Sequence, residues 1–167
     1  SPEGLLAVLD DDNVVIMDRN GDNRVAITDE TASGSDRAFY FQPVWSPDNA
    51  LLAFGRVGPS TGLHIAAVDG AGSSSIDTDT LPFYYSWSTS NELASLRNGD
   101  HGALRLDLAS WDGDSISDVT LLDNGAPLYF SWSPDTPRMA THIGSDRLEL
   151  HDLASSQPLG PRPGSFQ

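Results

Sequence analysis

Three copies of a Trp-Ser turn at a regular spacing, a turn residue every few positions, and strands apolar on both faces together predict an all-β chain: a β-propeller of four-stranded antiparallel blades. The turn is Val44-Trp45-Ser46-Pro47-Asp48-Asn49. It returns as Ser86-Trp87-Ser88-Thr89-Ser90-Asn91 and as Ser131-Trp132-Ser133-Pro134-Asp135-Thr136. The Trp residues stand 42 and 45 residues apart, and a period of ~40–45 residues is that of a propeller blade. With 15 Gly and 11 Pro in 167 residues, the chain suits many short strands and opposes long helices.

The elements follow in order. Residues 5–28 read as three short strands, Leu5–Leu9, Val14–Met17 and Arg24–Thr28, joined by Asp10-Asp11-Asp12-Asn13 and Asp18-Arg19-Asn20-Gly21. Short apolar runs bounded by Asp, Asn and Gly are strands with tight connections. Residues 39–76 form the first complete unit: Phe39–Trp45, Leu51–Gly55, Leu63–Val68 and a weak strand near Ser74–Ile76. Residues 83–122 repeat it with Phe83–Trp87, Glu92–Leu96, Ala103–Leu106 and Val119–Leu122. Residues 128–153 begin it again with Leu128–Trp132, Arg138–His142 and Arg147–His151. The blades thus occupy 1–153, and the Pro-, Gly- and Ser-rich stretch 154–167 reads as a frayed tail.

An Asp turn marks the far end of each unit. Asp18, Asp69, Asp107 and Asp152 each follow an apolar strand and have Gly or Ser three residues on. That spacing suits a type I turn in which the Asp side chain takes backbone amides. It places the turns between the third and fourth strands, so the first unit lacks its first strand.

Side chains alternate along a strand. Counting back four and two from each Trp therefore puts Phe41 and Pro43, Phe83 and Tyr85, and Leu128 and Phe130 on the Trp face. Gln42, Tyr84 and Tyr129 fall on the other, with Val44, Ser86 and Ser131. Neither face is wholly polar, as a sheet packed between two neighbours requires. In the turn itself Pro47 sits where its fixed φ fits, and Asn49 can take the left-handed conformation. Thr89-Ser90 lacks the Pro and Thr136 is β-branched, which predicts looser later turns.

Trp45-Ser46-Pro47-Asp48 with Leu52-Ala53-Phe54 and Val68-Asp69 resembles the TolB-like β-propeller repeat, a WD-like repeat of bacterial envelope proteins. Trp132-Ser133-Pro134-Asp135 with Met139-Ala140-Thr141 is the next copy; Trp87-Ser88 with Leu93-Ala94-Ser95 is degenerate. The likeness covers roughly residues 5–153. It implies a docking platform and a periplasmic, cell-surface or secreted setting. Propellers typically have four to eight blades. With its first strand missing, the chain is expected to belong to a larger propeller or to close one ring from two copies, a strained four-bladed ring being the alternative. It begins at Ser1 without Met or signal peptide, which reads as a processed form or a fragment.

A net charge of −15 opposes nucleic acid and anionic membrane surfaces, both of which are bound through Lys and Arg. No apolar run approaches the ~20 residues that span a bilayer. The absence of Cys excludes disulfides and Cys-ligated zinc. Gly58-Pro59-Ser60-Thr61-Gly62 matches the string of a nucleophile elbow, yet lies in a hairpin loop rather than between strand and helix. It reads as a turn, and no catalytic residue is assigned. His64, His101, His142 and His151 show no metal spacing; only His142 and His151, on one hairpin, could come close. No cofactor is required, although Asp10–Asn13, Asp18–Asp22, Asp77 with Asp79, and Asp112–Asp114 offer oxygens of the kind calcium takes.

The expected function is a non-enzymatic scaffold that binds a protein or peptide through loops around Asp36-Arg37, Leu81-Pro82 and Ala126-Pro127. The alternatives are the gating propeller of a prolyl-oligopeptidase-type peptidase whose catalytic domain lies elsewhere, and a calcium- or glycan-binding module.

Overall fold

A computed structural model describes residues 4–152 and 155–159. Its described strands form four antiparallel sheets of the propeller-blade type. The first sheet is β1 (Leu6–Asp10), β2 (Asn13–Met17) and β3 (Val25–Ala26). The second is β4 (Phe39–Trp45), β5 (Leu51–Val57), β6 (Gly62–Ala67) and β7 (Ser73–Asp77). The third is β8 (Tyr84–Trp87), β9 (Glu92–Asn98), β10 (Leu104–Trp111) and β11 (Ile116–Gly125). The fourth is β12 (Leu128–Trp132), β13 (Met139–Ile143), β14 (Arg147–His151) and β15 (Ser156–Pro158). In each sheet the strands lie side by side in chain order, the meander that short turns permit.

The fourth sheet corrects the expected tail. Ser156–Pro158 pairs with β14, so part of the stretch 154–167 completes a blade. Pro158 stands opposite Glu149 at the end of the ladder, and the Leu159 amide, not the missing proline donor, bonds the Leu148 carbonyl at 2.8 Å. A proline at a strand end on an edge costs no ladder bond. Residues 160–167 lie outside the described set.

The chain divides into two compact units, 1–82 with 111–117 and 83–110 with 118–167. In the first, Val14 and Ile16 of β2 meet Leu52 and Phe54 of β5 and Ala66 of β6, with Trp45 and Tyr40 packed against them. In the second, Ala94, Leu96, Leu106 and Leu108 of the third sheet meet Leu128, Phe130, Met139 and Ile143 of the fourth, with Trp132 against them. In both units, then, the Trp face of a later sheet packs on the preceding sheet.

Tyr40, not Phe41, shares the Trp45 face. The β4–β5 register shifts between Phe41 and Val44, and Gln42 takes φ +47. Pro43 cannot donate to a ladder, so the strand bulges there, and a one-residue bulge reverses the facing of everything before it. Tyr40 lies edge-on to Phe54 at 5.6 Å, while Phe41 is exposed.

The Trp turns keep their chemistry unevenly. Ser46 is buried; its hydroxyl donates to Asp48 at 2.6 Å and accepts the Leu51 amide at 2.9 Å. Ser88 is also buried and accepts the amides of Ser90 and Glu92 at 3.1 Å each. Asn49 and Asn91 both take φ +62, so the second turn keeps the left-handed joint despite losing the Pro. The third turn is the loose one. Ser133 accepts the Asp135 amide at 3.4 Å, and Thr136 is not among the residues at positive φ.

Candidate functional site

The polar cluster with most structure around it lies in the second unit. Arg147, Glu149 and His151 alternate along β14 and so share one face. Thr141 stands opposite Glu149 on β13. Asp123, near the end of β11, completes the group. Asp123, Arg147, Glu149 and His151, together with Leu122, Ser155 and Ser156, line a cavity of about 460 Å³.

Arg147 holds the cluster together. Its Nη2 and Nη1 donate to Asp123 at 2.8 and 3.3 Å, and its Nη2 and Nε donate to Glu149 at 2.9 and 3.2 Å. Two-pronged guanidinium–carboxylate bonding gives fixed geometry as well as attraction. The hydrogen bonds from Arg147 to Glu149 and then to Asp123 raise its own pKa. His151 is buried and its Nε2 lies 2.9 Å from Thr141 Oγ1 and 3.8 Å from Glu149. One ligand atom each from Asp123, Glu149 and His151 lie within 4.8 Å of one another, the donor types a divalent cation takes. Arg147 already provides the positive charge between two of them. Chemically, the cluster is a structured anionic cradle closed by its own cation.

A second polar group in that unit is Asp107 with Arg97 and Arg105. Asp107 is expected at a turn. Instead it lies inside β10, buried, accepting from Arg97 Nε at 2.9 Å and Arg105 Nε at 2.7 Å. The turn of that sheet is made by Asp112, whose Oδ1 accepts the amides of Asp114 and Ser115 at 3.0 and 2.9 Å. Those backbone bonds, Ser115 first, hold its carboxyl below the usual range. The other three expected turn residues serve as read. Asp18 accepts the Asn20 and Asp22 amides at 2.8 and 2.9 Å, Asp69 the Ala71 amide at 2.9 Å, and Asp152 the Ser155 amide at 2.9 Å. The Asp22 amide, then that of Asn20, lowers the Asp18 pKa.

The histidines stay apart. His142 pairs with Leu148, whereas His151 pairs with Met139; the two rows stand three residues apart along β13, an odd number, so the side chains point to opposite faces and do not meet. His101 sits exposed in the turn Asp100–Gly102. His64 stacks on Phe54 at 5.8 Å, and its buried Nε2 has no hydrogen-bond partner. Burial, then the charge of Arg56, lowers its pKa, against an upward pull from Asp77.

Ser60 of the Gly58–Gly62 loop accepts from Arg56 Nη1, so its hydroxyl is engaged by a cation, not by a base. Asp10 pairs with Arg24 and Asp12 with Arg37.

The expected partner loops fall on both units. Asp36 ends the exposed turn Gly34–Asp36. Arg37 lies over the Phe39 ring at 5.3 Å. Leu81 is half-buried and Pro82 buried, which removes Pro82 from any contact surface; Ala126 and Pro127 are exposed. The Arg147 cluster and the Arg97–Asp107–Arg105 group escape sequence reasoning. Their members lie 10 to 28 residues apart or on alternate strand positions, and only the register brings them together.

No family model matches this chain, and no curated protein matches it. Among solved structures it is similar to a puromycin-hydrolysing peptidase of Mycobacterium tuberculosis, at 13% identity with a TM-score of 0.59. That likeness covers 96% of this chain and 30% of the peptidase chain, so this chain spans under a third of the structure it resembles, and what the two share is the fold.

Proposed function

We propose that this chain is a non-catalytic propeller segment that handles polypeptide, and that it serves as the accessory propeller of a prolyl-oligopeptidase-type peptidase whose hydrolase lies outside these residues. The observation that carries this reading is the fold likeness to a peptidase over nearly the whole of this chain. The hydrogen bond from Arg56 to Ser60 supports assigning catalysis elsewhere. The experiment is fluorophosphonate labelling of the intact gene product, with peptide nitroanilides as substrates. A labelled serine outside residues 1–167 is the expected result. A gene product that neither labels nor cleaves overturns the reading.

A free-standing protein-binding scaffold is the second reading, supported by the exposure of Asp36, Ala126 and Pro127. The TolB-like identity belongs with it, together with an extracytoplasmic setting. The buried Ser46 and left-handed Asn49 of the Trp45 turn support that identity. Affinity capture by the wild type that is lost on Asp36→Lys and Ala126→Arg together, without peptidase activity, favours it.

A further inference from the structure

The excess negative charge is shared unevenly between the two compact units. The chain has no Lys, so its nine cationic side chains are all Arg, against 24 Asp and Glu. The first unit carries 15 of the acids and four Arg; the second carries nine acids and five Arg.

The units also treat their acids differently. In the second, three largely covered carboxylates are met by Arg inside the fold: Asp107 by Arg97 and Arg105, Asp123 and Glu149 by Arg147. Covered pairs are screened little by salt. In the first, Arg24 meets Asp10 and Arg37 meets Asp12 at the surface, where an ion pair contributes little. Asp11, Asp22, Asp29, Asp69, Asp112 and Asp114 are exposed, and among the described residues none of them forms an ion pair. Folding brings some of these charges together. The Asp112–Ser115 turn lies against the Asp69–Gly72 turn, so closely that a Cβ on Gly72 would meet the Asp114 carbonyl oxygen at 3.1 Å. Asp69 and Asp112 are far apart in the chain and become neighbours only when the first unit is folded.

We propose that the first unit is held folded by dissolved cations that screen this charge, so that ionic strength sets its stability but not that of the second unit. A net charge far from zero destabilises the compact state through self-repulsion. The distance over which exposed charges feel one another is about 30 Å at 0.01 M salt and about 3 Å at 1 M. The first sheet is the element least able to resist, since β3 is two residues long and both are exposed. Such a fold suits a medium of high ionic strength. The effect needs no bound ion and no partner, and it does not depend on the peptidase reading.

The test is hydrogen exchange by mass spectrometry on the intact gene product, at constant pH with EDTA, from about 0.01 M to about 1 M KCl. Peptides over β2 and β5 report on the first unit, and peptides over β9 and β13 on the second. Exchange in β2 and β5 is expected to slow about tenfold or more as KCl rises, and exchange in β9 and β13 to change by less than about twofold. No slowing overturns the proposal. Equal slowing in both sets also overturns it, because a general salting-out effect acts on all buried surface. So does rescue at low KCl by micromolar calcium without EDTA, which would require a built cation site. A set of variants separates charge from folding defects. Asp11→Asn, Asp69→Asn and Asp114→Asn together remove three charges, and an amide oxygen can still accept the Ala71 amide that Asp69 accepts. They are expected to slow exchange in β2 and β5 at low KCl and to leave it unchanged at high KCl. Asp100→Asn, Asp118→Asn and Asp135→Asn together, in the second unit, are expected to leave both sets unchanged. Matching effects of the two triple variants overturn the proposal.

Discussion

Asp107 accepts a hydrogen bond from Arg97 Nε at 2.9 Å across the β9–β10 pair, with side chains only 7% and 11% exposed. The register sets Asp107 opposite Ser95 and Arg97 opposite Arg105, so one carboxylate serves two guanidinium groups on one face. Removing a member of a buried pair strands the other charge, at about 3–5 kcal/mol. Asp107→Ala is therefore expected to lower unfolding free energy by about 3 kcal/mol or more, measured by urea denaturation. Asp112→Ala, which removes an exposed turn acceptor, is expected to cost clearly less. If the two were equal, Asp107 would be acting only as a turn residue.

Asp107 and Asp112 also show where sequence reading stops. Both are followed three residues on by Ser, so the turn rule alone fits either. What separates them is the length of β10, which runs on to Trp111, and nothing local announces that length. The same holds for Tyr40 and Phe41, where a bulge at Pro43 exchanges their faces. Blade period, strand order and Trp turns were legible because they rest on local chemistry repeated in register. The Asp123–Arg147 contact was not, because its partners lie 24 residues apart and each alone is an ordinary surface charge.

Trp132 ties two sheets through its indole N–H to the Ser86 carbonyl at 3.0 Å. Trp132→Phe keeps an aromatic ring but loses that donor. One hydrogen bond contributes about 1 kcal/mol net, and the smaller ring adds lost buried area. The expected outcome is a lower denaturation midpoint with an unchanged m-value, since the surface exposed on unfolding barely differs. In the wild type the Trp132 indole proton should exchange slowly by NMR. Fast exchange would show that the bond does not persist in solution.

Arg147 is the cation between Asp123 and Glu149, and its removal should change what the cluster accepts. In Arg147→Met two largely covered carboxylates, 12% and 17% exposed, stand beside His151 without a counter-charge. The variant is expected to be less stable than the wild type and to regain stability with zinc, because binding to the folded state alone raises the melting temperature. The wild type, with Arg147 in place, should respond much less. A thermal shift series in zinc and in chelator checks this; equal shifts in both proteins would mean that Arg147 does not hold the site.

His64 provides a pH signature with a definite sign. Its folded pKa lies below 6.5 because burial, and then Arg56, disfavour the imidazolium. Below about pH 6.5 the unfolded chain therefore binds more protons at this residue than the folded chain. Stability then rises with pH across the window from the depressed folded value up to about 6.5, and is lost as pH falls through it. His64→Phe preserves the stack on Phe54 and removes the titration. Urea unfolding from pH 8 to pH 5 should give a free-energy difference between variant and wild type that is flat above about pH 6.5. Below it the difference should grow in favour of the variant, and level off once the folded His64 also protonates. A gap growing in favour of the wild type would mean that the imidazolium is stabilised in place, by Asp77 outweighing burial.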